Sequence, residues 1–368
     1  MLREPGSDPC ADDPRDLDRV PAEDGVESLV IAHPDVLSHE AEAGTWFRVT
    51  CRNLLPQILP WSVHHSSGHV DSTGHPMTRT PIPDNRGRWG ADDDLGTLNL
   101  IDDAARRRAA EEVRTGRWAS LALPVAPASM LGGPFAPPSP PSPPVQQALL
   151  YTGTPPMGMS EVLVVTPHHP AMTHLDAFAH LPVEDGVVYP GRPVGEAVTA
   201  GGVQHGSTTS FAAGIVTRGV LLDLAPQGRL PAAHAIIAAD LDAAEDRAGV
   251  ALQPGDALVV RSGWGFSWNS EEQGPGMTVD AVTWMHDRGV ALYAGDVGDS
   301  FPPLDPEIPM PMHMVALARL GMPLIDSANV EQVSALCAEL SRSSFLLSVA
   351  PPRLLGLTGV PVNPIAVF

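Results

Sequence analysis

From about residue 88 onward the chain alternates short apolar runs with turn residues. Residues 162–165, 214–224, 257–261 and 290–294 are apolar runs that alternate with turns, so each predicts a buried strand. Between them, residues 238–245, 279–287 and 315–320 mix apolar and polar positions with the composition of helices. An earlier helix is expected over residues 104–113, with Asp102 or Asp103 as its cap and Thr115-Gly116 as its stop. Strands alternating with helices predict a mixed α/β fold. Gly and Pro recur without a period, which argues against internal repeats.

Residues 1–75 show neither a helical nor a strand period. His64, His65, His69 and His75 lie there among Ser, Gly and Asp, a composition that suggests a flexible tract more than a ligand cluster. This segment is expected to be a disordered extension, or to precede the true start at Met77, and residues 76–368 to form one catalytic domain. The Pro-rich stretch 132–144 cannot join a ladder and reads as a surface loop; a ligand for a Pro-binding domain is the alternative.

The formal charge of −21 disfavours nucleic acid as a partner, and no cluster of Lys and Arg offsets it. Residues 1–42 carry 12 Asp plus Glu against 3 Arg, so −9 of that total sits in the extension. Cys10, Cys51 and Cys337 lack any CxxC spacing, which argues against a disulfide framework and a thiolate metal site. No run approaches the roughly 20 apolar residues of a spanning helix, and the N-terminus is not a basic region followed by an apolar one. A cytoplasmic protein without a membrane partner is expected.

The candidate chemistry lies at Thr173-His174-Leu175-Asp176-Ala177-Phe178-Ala179-His180. On an extended segment His174 and Asp176 share a face, and His180 follows after a short turn. Imidazole and carboxylate donors of this kind suit Zn²⁺ or Mn²⁺. The alternative is a hydrogen-bonded core histidine beside a capping aspartate. Neighbouring His168 and His169 weigh toward the metal. Other hydrolytic signatures are missing: there is no G-x-S-x-G elbow, no Cys in a motif with His, no phosphate loop and no intact dinucleotide fingerprint.

These residues resemble the cyclase family of metal-dependent hydrolases, which includes kynurenine formamidases and isatin hydrolases. Its signature is H-x-G-T-H-x-D-x-x-x-H, and this chain reads Pro170-Ala171-Met172-Thr173-His174-Leu175-Asp176-Ala177-Phe178-Ala179-His180. The likeness continues through Tyr189-Pro190-Gly191, Gly255-Asp256, Ser262-Gly263-Trp264, Gly295-Asp296 and the tail from Thr358 to Phe368, in collinear order over residues 85–368.

The resemblance implies a swivelling β/β/α domain, a mixed sheet with flanking helices, assembled as a homodimer or homotetramer. It implies His174, Asp176 and His313 as metal ligands, Asp326 near the place of a glutamate ligand, and His180 as the proton carrier. The first signature histidine is Pro170 here; His169, in preference to His168, is the expected substitute, with a bulge needed to turn it inward. The implied reaction is metal-dependent hydrolysis of an amide or lactone in a small cyclic or aryl substrate, kynurenine-formamidase-like. A cyclase or dehydratase using the same site, and a non-catalytic small-molecule binder, are the alternatives.

Overall fold

The apolar runs between residues 214 and 295 become the parallel centre of a nine-stranded mixed sheet in a computed structural model of the chain. It describes residues 81–129, 143–155, 157–182, 186–265 and 272–368, all within the unit Met77–Phe368. The expectations for residues 1–75, and for the Pro-rich stretch as far as residue 142, lie outside the described residues.

Helix α1 (Asp103–Ala110) opens at Asp102, whose side chain accepts the Ala105 amide at 2.8 Å. Such a cap satisfies one of the amides that the first turn leaves free. The helix ends at Ala110, three residues short of Val113, the last residue expected in it. Strand β1 (Trp118–Ser120) forms one edge of the sheet.

Strands β2 (Val145–Thr152) and β3 (Gly158–Val165) pair antiparallel over eight residues each. Here the structure corrects the sequence reading. Residues 162–165 form a strand, but every residue of β3 is exposed. A run of four apolar residues shows that something is to be covered, without showing that the same subunit covers it.

Strand β4 (His174–Asp176) comes next and lies inside the large sheet. Strands β5 (Ile215–Asp223), β6 (Ala257–Arg261) and β7 (Leu292–Gly295) follow, connected by α2 (Ala238–Ala248) and α3 (Val279–Asp287). Side chains buried on both faces explain their near-continuous apolar sequences. Gly249, left-handed at φ 64°, ends α2, while the Thr278 hydroxyl caps α3 by accepting the Ala281 amide.

Beyond β7 the chain forms a six-residue π-helix, Met312–Leu317, where residues 315–320 were expected to be α-helical. Strand β8 (Leu324–Asp326), helix α4 (Glu331–Leu340) and strands β9 (Ser344–Val349), β10 (Gly359–Pro361) and β11 (Ile365–Val367) complete the order β1-β11-β9-β5-β6-β7-β8-β4-β10. Strands β5 to β8 run parallel, and β4 lies antiparallel to both β8 and β10. The α/β mixed-sheet expectation holds. Among the described residues, no helix is long and apolar enough to cross a membrane.

Candidate metal centre

Three residues of β4 separate the core from the site. Leu175 pairs with Ile325 on one side and Val360 on the other, and all three are fully buried in the apolar core. Alternation then turns His174 and Asp176 to the opposite face. Across β8 the register partner of His174 is Asp326, so a third donor arrives on that same face. Sheet pairing thereby brings together residues from two distant parts of the sequence.

Two histidines have their tautomers set by second partners. Nδ1 of His174 lies 2.8 Å from the carbonyl of Met172, which can only accept, so Nδ1 carries the hydrogen and Nε2 keeps its lone pair. Nδ1 of His313 likewise lies 2.7 Å from Oδ2 of Asp299. Asp299 also accepts the backbone amides of Met312 and His313, at 2.8 and 3.3 Å, and so anchors the start of the π-helix. Nε2 of His313 is left 3.5 Å from Oδ2 of Asp176 and 3.6 Å from Oδ2 of Asp326.

Asp176 is fully buried, yet neither of its carboxylate oxygens has an aligned hydrogen-bond donor. Nδ1 of His168 approaches Oδ1 to 2.7 Å and Nε2 of His174 to 3.4 Å, without hydrogen-bond geometry in either case. A buried carboxylate left unpaired is costly. Imidazole nitrogens directed at it are what a shared cation would require. The donor atoms of His174, Asp176 and Asp326 lie within 4.8 Å of one another, and so do those of His168, Asp176 and His180. The residues present therefore fit a divalent metal held by N and O donors.

The charges are strongly coupled. Burial pushes the Asp176 carboxyl up, but the imidazoles of His168, His313 and His174 more than reverse this and hold it below the usual carboxylate range. Burial opposes a charged His313, and the carboxylates of Asp176 and Asp299 overcome it, so its pKa rises well above the ordinary value. Asp326 is raised, chiefly by burial and also by Asp176, with His313 pulling the other way. His180 is lowered to about 4, first by burial; Asp176 resists this and the neighbouring imidazoles add to it. It is therefore neutral near pH 7 and able to accept a proton.

The donor atoms of His174, Asp176 and Asp326 form one close group and those of His168, Asp176 and His180 another, with His313 3.5 Å from Asp176. His169 stands apart from the sequence expectation: its Nδ1 accepts the Ala171 amide at 3.0 Å within its own turn. The imidazole that reaches the cluster is His168, stacked on His180 with ring centres 3.7 Å apart and planes 5° from parallel. The bulge argument does not apply, because residues 166–172 form turns and not a strand: the His169 amide bonds to the Thr166 carbonyl and the Met172 amide to the His169 carbonyl. His168 and Asp299 were missed by sequence reasoning. The adjacent pair His168-His169 was the available signal; nearness to Pro170 favoured His169, although strand alternation argued against it.

The Cyclase family model matches residues 119–299, a span that includes β4 and the whole His174-to-His180 motif. Over that span the chain is similar to the Cyclase family. A crystal structure of a protein described as a novel cyclase superposes with a TM-score of 0.65 at 27% identity, covering 77% of this chain and 97% of that one. Isatin hydrolase A from Labrenzia aggregata, bound to benzyl benzoate, gives 0.48 at 17% identity, with 68% and 93% covered. An isatin hydrolase bound to the product analogue thioisatinate gives 0.49 at 18% identity, with 70% and 93% covered. No curated protein sequence matches the chain.

Proposed function

We propose that this chain is a metal-dependent hydrolase that opens an amide or lactone bond in a small cyclic or aryl substrate, in the manner of an arylformamidase. The observation that carries the reading is the bare, buried carboxylate of Asp176 amid the imidazoles of His168, His174 and His313. His174, Asp176, His313 and Asp326 are the residues that would hold Zn²⁺ or Mn²⁺. When bound, such an ion would lower the pKa of a water toward roughly 7 and polarise a carbonyl as a Lewis acid.

The chain's own groups supply the remaining steps. His180, neutral at pH 7, takes the proton that the attacking water gives up and returns it to the leaving nitrogen or oxygen. Asp299 holds His313 with Nε2 directed into the site. Met172 does the same for His174 through its carbonyl.

The test is metal analysis of the purified protein followed by a substrate screen over N-formylkynurenine, isatin and lactones. Stoichiometric Zn or Mn with hydrolysis of one class is the expected result. Metal without any hydrolysis, but with loss of water from a substrate, would favour the cyclase or dehydratase reading. Protein that binds no divalent metal would remove the basis for both.

The expected homodimer or homotetramer draws support from the β2–β3 hairpin. Leu149, Leu150, Tyr151, Met159 and Leu163 are each half or more exposed there. Exposed apolar patches of this extent usually meet a partner, and a standard interface buries about 800 Å² on each side.

A further inference from the structure

We propose that Tyr293 is a positioning residue of the candidate site: its hydroxyl, lodged over Gly295, fixes the loop after β7 so that the Asp299 carboxylate meets the ring of His313. The inference rests on the reading of His313 as part of the metal site and says what holds that ring in place.

Strand register puts Tyr293 on the face that matters. It pairs with Leu324 of β8, which pairs in turn with Asp176 of β4, and paired residues of neighbouring strands point to the same side of a sheet. Tyr293 therefore shares the face of His174, Asp176 and Asp326. Its side chain is fully buried and runs over Gly295, where an added Cβ would lie 2.5 Å from the hydroxyl oxygen and 3.0 Å from Cζ. Glycine at this position leaves the space that the ring fills. A phenylalanine would fill the same space, so the hydroxyl has a separate role. It donates to the carbonyl of Val297, two residues before Asp299. Burial, reinforced by the carboxylates of Asp296, Asp326 and Asp299, pushes the phenol well above its ordinary pKa, so it remains a donor at neutral pH.

Backbone bonds pin the segment on either side of that contact. The Ala328 amide donates to the Gly295 carbonyl at 3.0 Å and the Met277 amide to the Gly298 carbonyl at 2.9 Å. Past Asp299, the Ser300 hydroxyl donates to the Gly274 carbonyl at 2.9 Å. The Val297 carbonyl takes its bond from a side chain, so the loss of one oxygen atom releases it. Asp299 serves three donors at once, namely the amides of Met312 and His313 and Nδ1 of His313. Such an arrangement tolerates little displacement, because each bond weakens steeply with distance and angle. The bond to Nδ1 is the one that yields when the loop shifts, since its ring can turn about its own torsions while the two amides belong to the π-helix.

The test reads the Asp299–His313 bond directly and without metal. In the full-length protein labelled with ¹⁵N at histidine, the Nδ1 hydrogen of His313, buried and donated to a carboxylate, should give a slowly exchanging downfield proton resonance, assigned by its loss in His313→Gln. Tyr293→Phe should abolish this resonance and weaken Zn²⁺ binding, measured by chelator competition, by about 10-fold, the low end for a group outside the coordination sphere. The control is Leu347→Ala in β9, four strands from β8, which should melt lower and keep the resonance. If Tyr293→Phe does not fold, Gly295→Ala, whose methyl displaces the hydroxyl but keeps the phenol, is judged by the same resonance. A Tyr293→Phe protein with the parent's resonance and Zn²⁺ affinity overturns the inference. So does loss of the resonance in Leu347→Ala, which would mark general loosening, or its absence from the parent. Failure of the parent to bind Zn²⁺ or Mn²⁺ would instead overturn the proposed function, and the resonance alone would then decide the role of Tyr293.

Discussion

His174 and Asp326 are direct register partners across β4 and β8, with the apolar pair Leu175 and Ile325 next to them pointing the other way. Hydrogen bonding in the sheet therefore sets the distance between two of the donors. Replacing either His174 or Asp176 by alanine should empty the site, since a hydrolytic ion needs about three protein ligands. Metal content by mass spectrometry of the folded variants gives the answer. Retention of a full equivalent of metal in both would show that the ion, if any, is held elsewhere.

Metal should also stabilise the fold. The carboxylate oxygens of Asp176 have no hydrogen-bond partner in the folded protein, and the unfolded chain competes for the ion with a far poorer donor set. At a free metal concentration about 100 times the Kd, linkage predicts about 2.7 kcal/mol of added stability. Melting curves with chelator and with saturating Zn²⁺ should differ by several degrees. Superimposable curves would count against a metal bound at this place.

His180 should behave differently from the ligands. Its ring stacks on His168 and stands edge-on to His313, and burial holds it neutral. As a proton carrier, His180→Ala should leave most of the metal in place while lowering turnover by roughly 10²- to 10⁴-fold. Loss of metal in step with activity would recast His180 as a principal ligand.

The alternation of apolar runs and turns was enough to reveal the α/β layout, because strands buried on both faces spell themselves out as unbroken apolar stretches, as β5 and β6 do. Helix α4 and strand β9 gave weaker signals. Glu331 to Leu340 carries its apolar positions loosely, and Ser344 and Ser348 interrupt an otherwise apolar strand. At the site, the spacing of His174 and Asp176 conveyed a shared face because they lie on a true strand. For His168 and His169, nearness to Pro170 in sequence favoured His169, whereas the turns of residues 166–172 bring His168 to the cluster. Asp299 was illegible for another reason: its role depends on the π-helix beginning where its carboxylate can accept the Met312 and His313 amides. Nothing in local sequence announces that contact.

The β2–β3 hairpin offers a prediction about assembly. Tyr151 and Leu163 stand 63% and 51% exposed, on a strand pair whose second strand has no buried residue. Leu163→Asp should shift the protein toward monomer in sedimentation velocity, since a charge at the centre of an apolar interface must be desolvated without a partner. Its melting temperature as a monomer should change little, because an exposed strand residue contributes little to the core. A parent protein that sediments as a monomer would rule out the hairpin as a self-association surface.

Cys337 provides a test of the core independent of metal. It lies near the end of α4, buried against the sheet, and burial pushes its thiol up to about 12, with Arg342 opposing slightly and Asp223 reinforcing. Only the thiolate is nucleophilic, so at pH 8 about one molecule in 10⁴ is reactive at this position even before access is considered. That fraction rises about tenfold for each pH unit up to the pKa, which fixes the sign: alkylation should be slow at pH 8, faster at pH 9 and still far below that of an unhindered thiol. Iodoacetamide treatment at pH 8, read by peptide mass spectrometry at Cys337, should leave the residue unmodified in the native protein and fully modified in denaturant. Rapid native modification would mean that α4 opens from the sheet far more often than the burial of its Val333 and Cys337 in the core suggests.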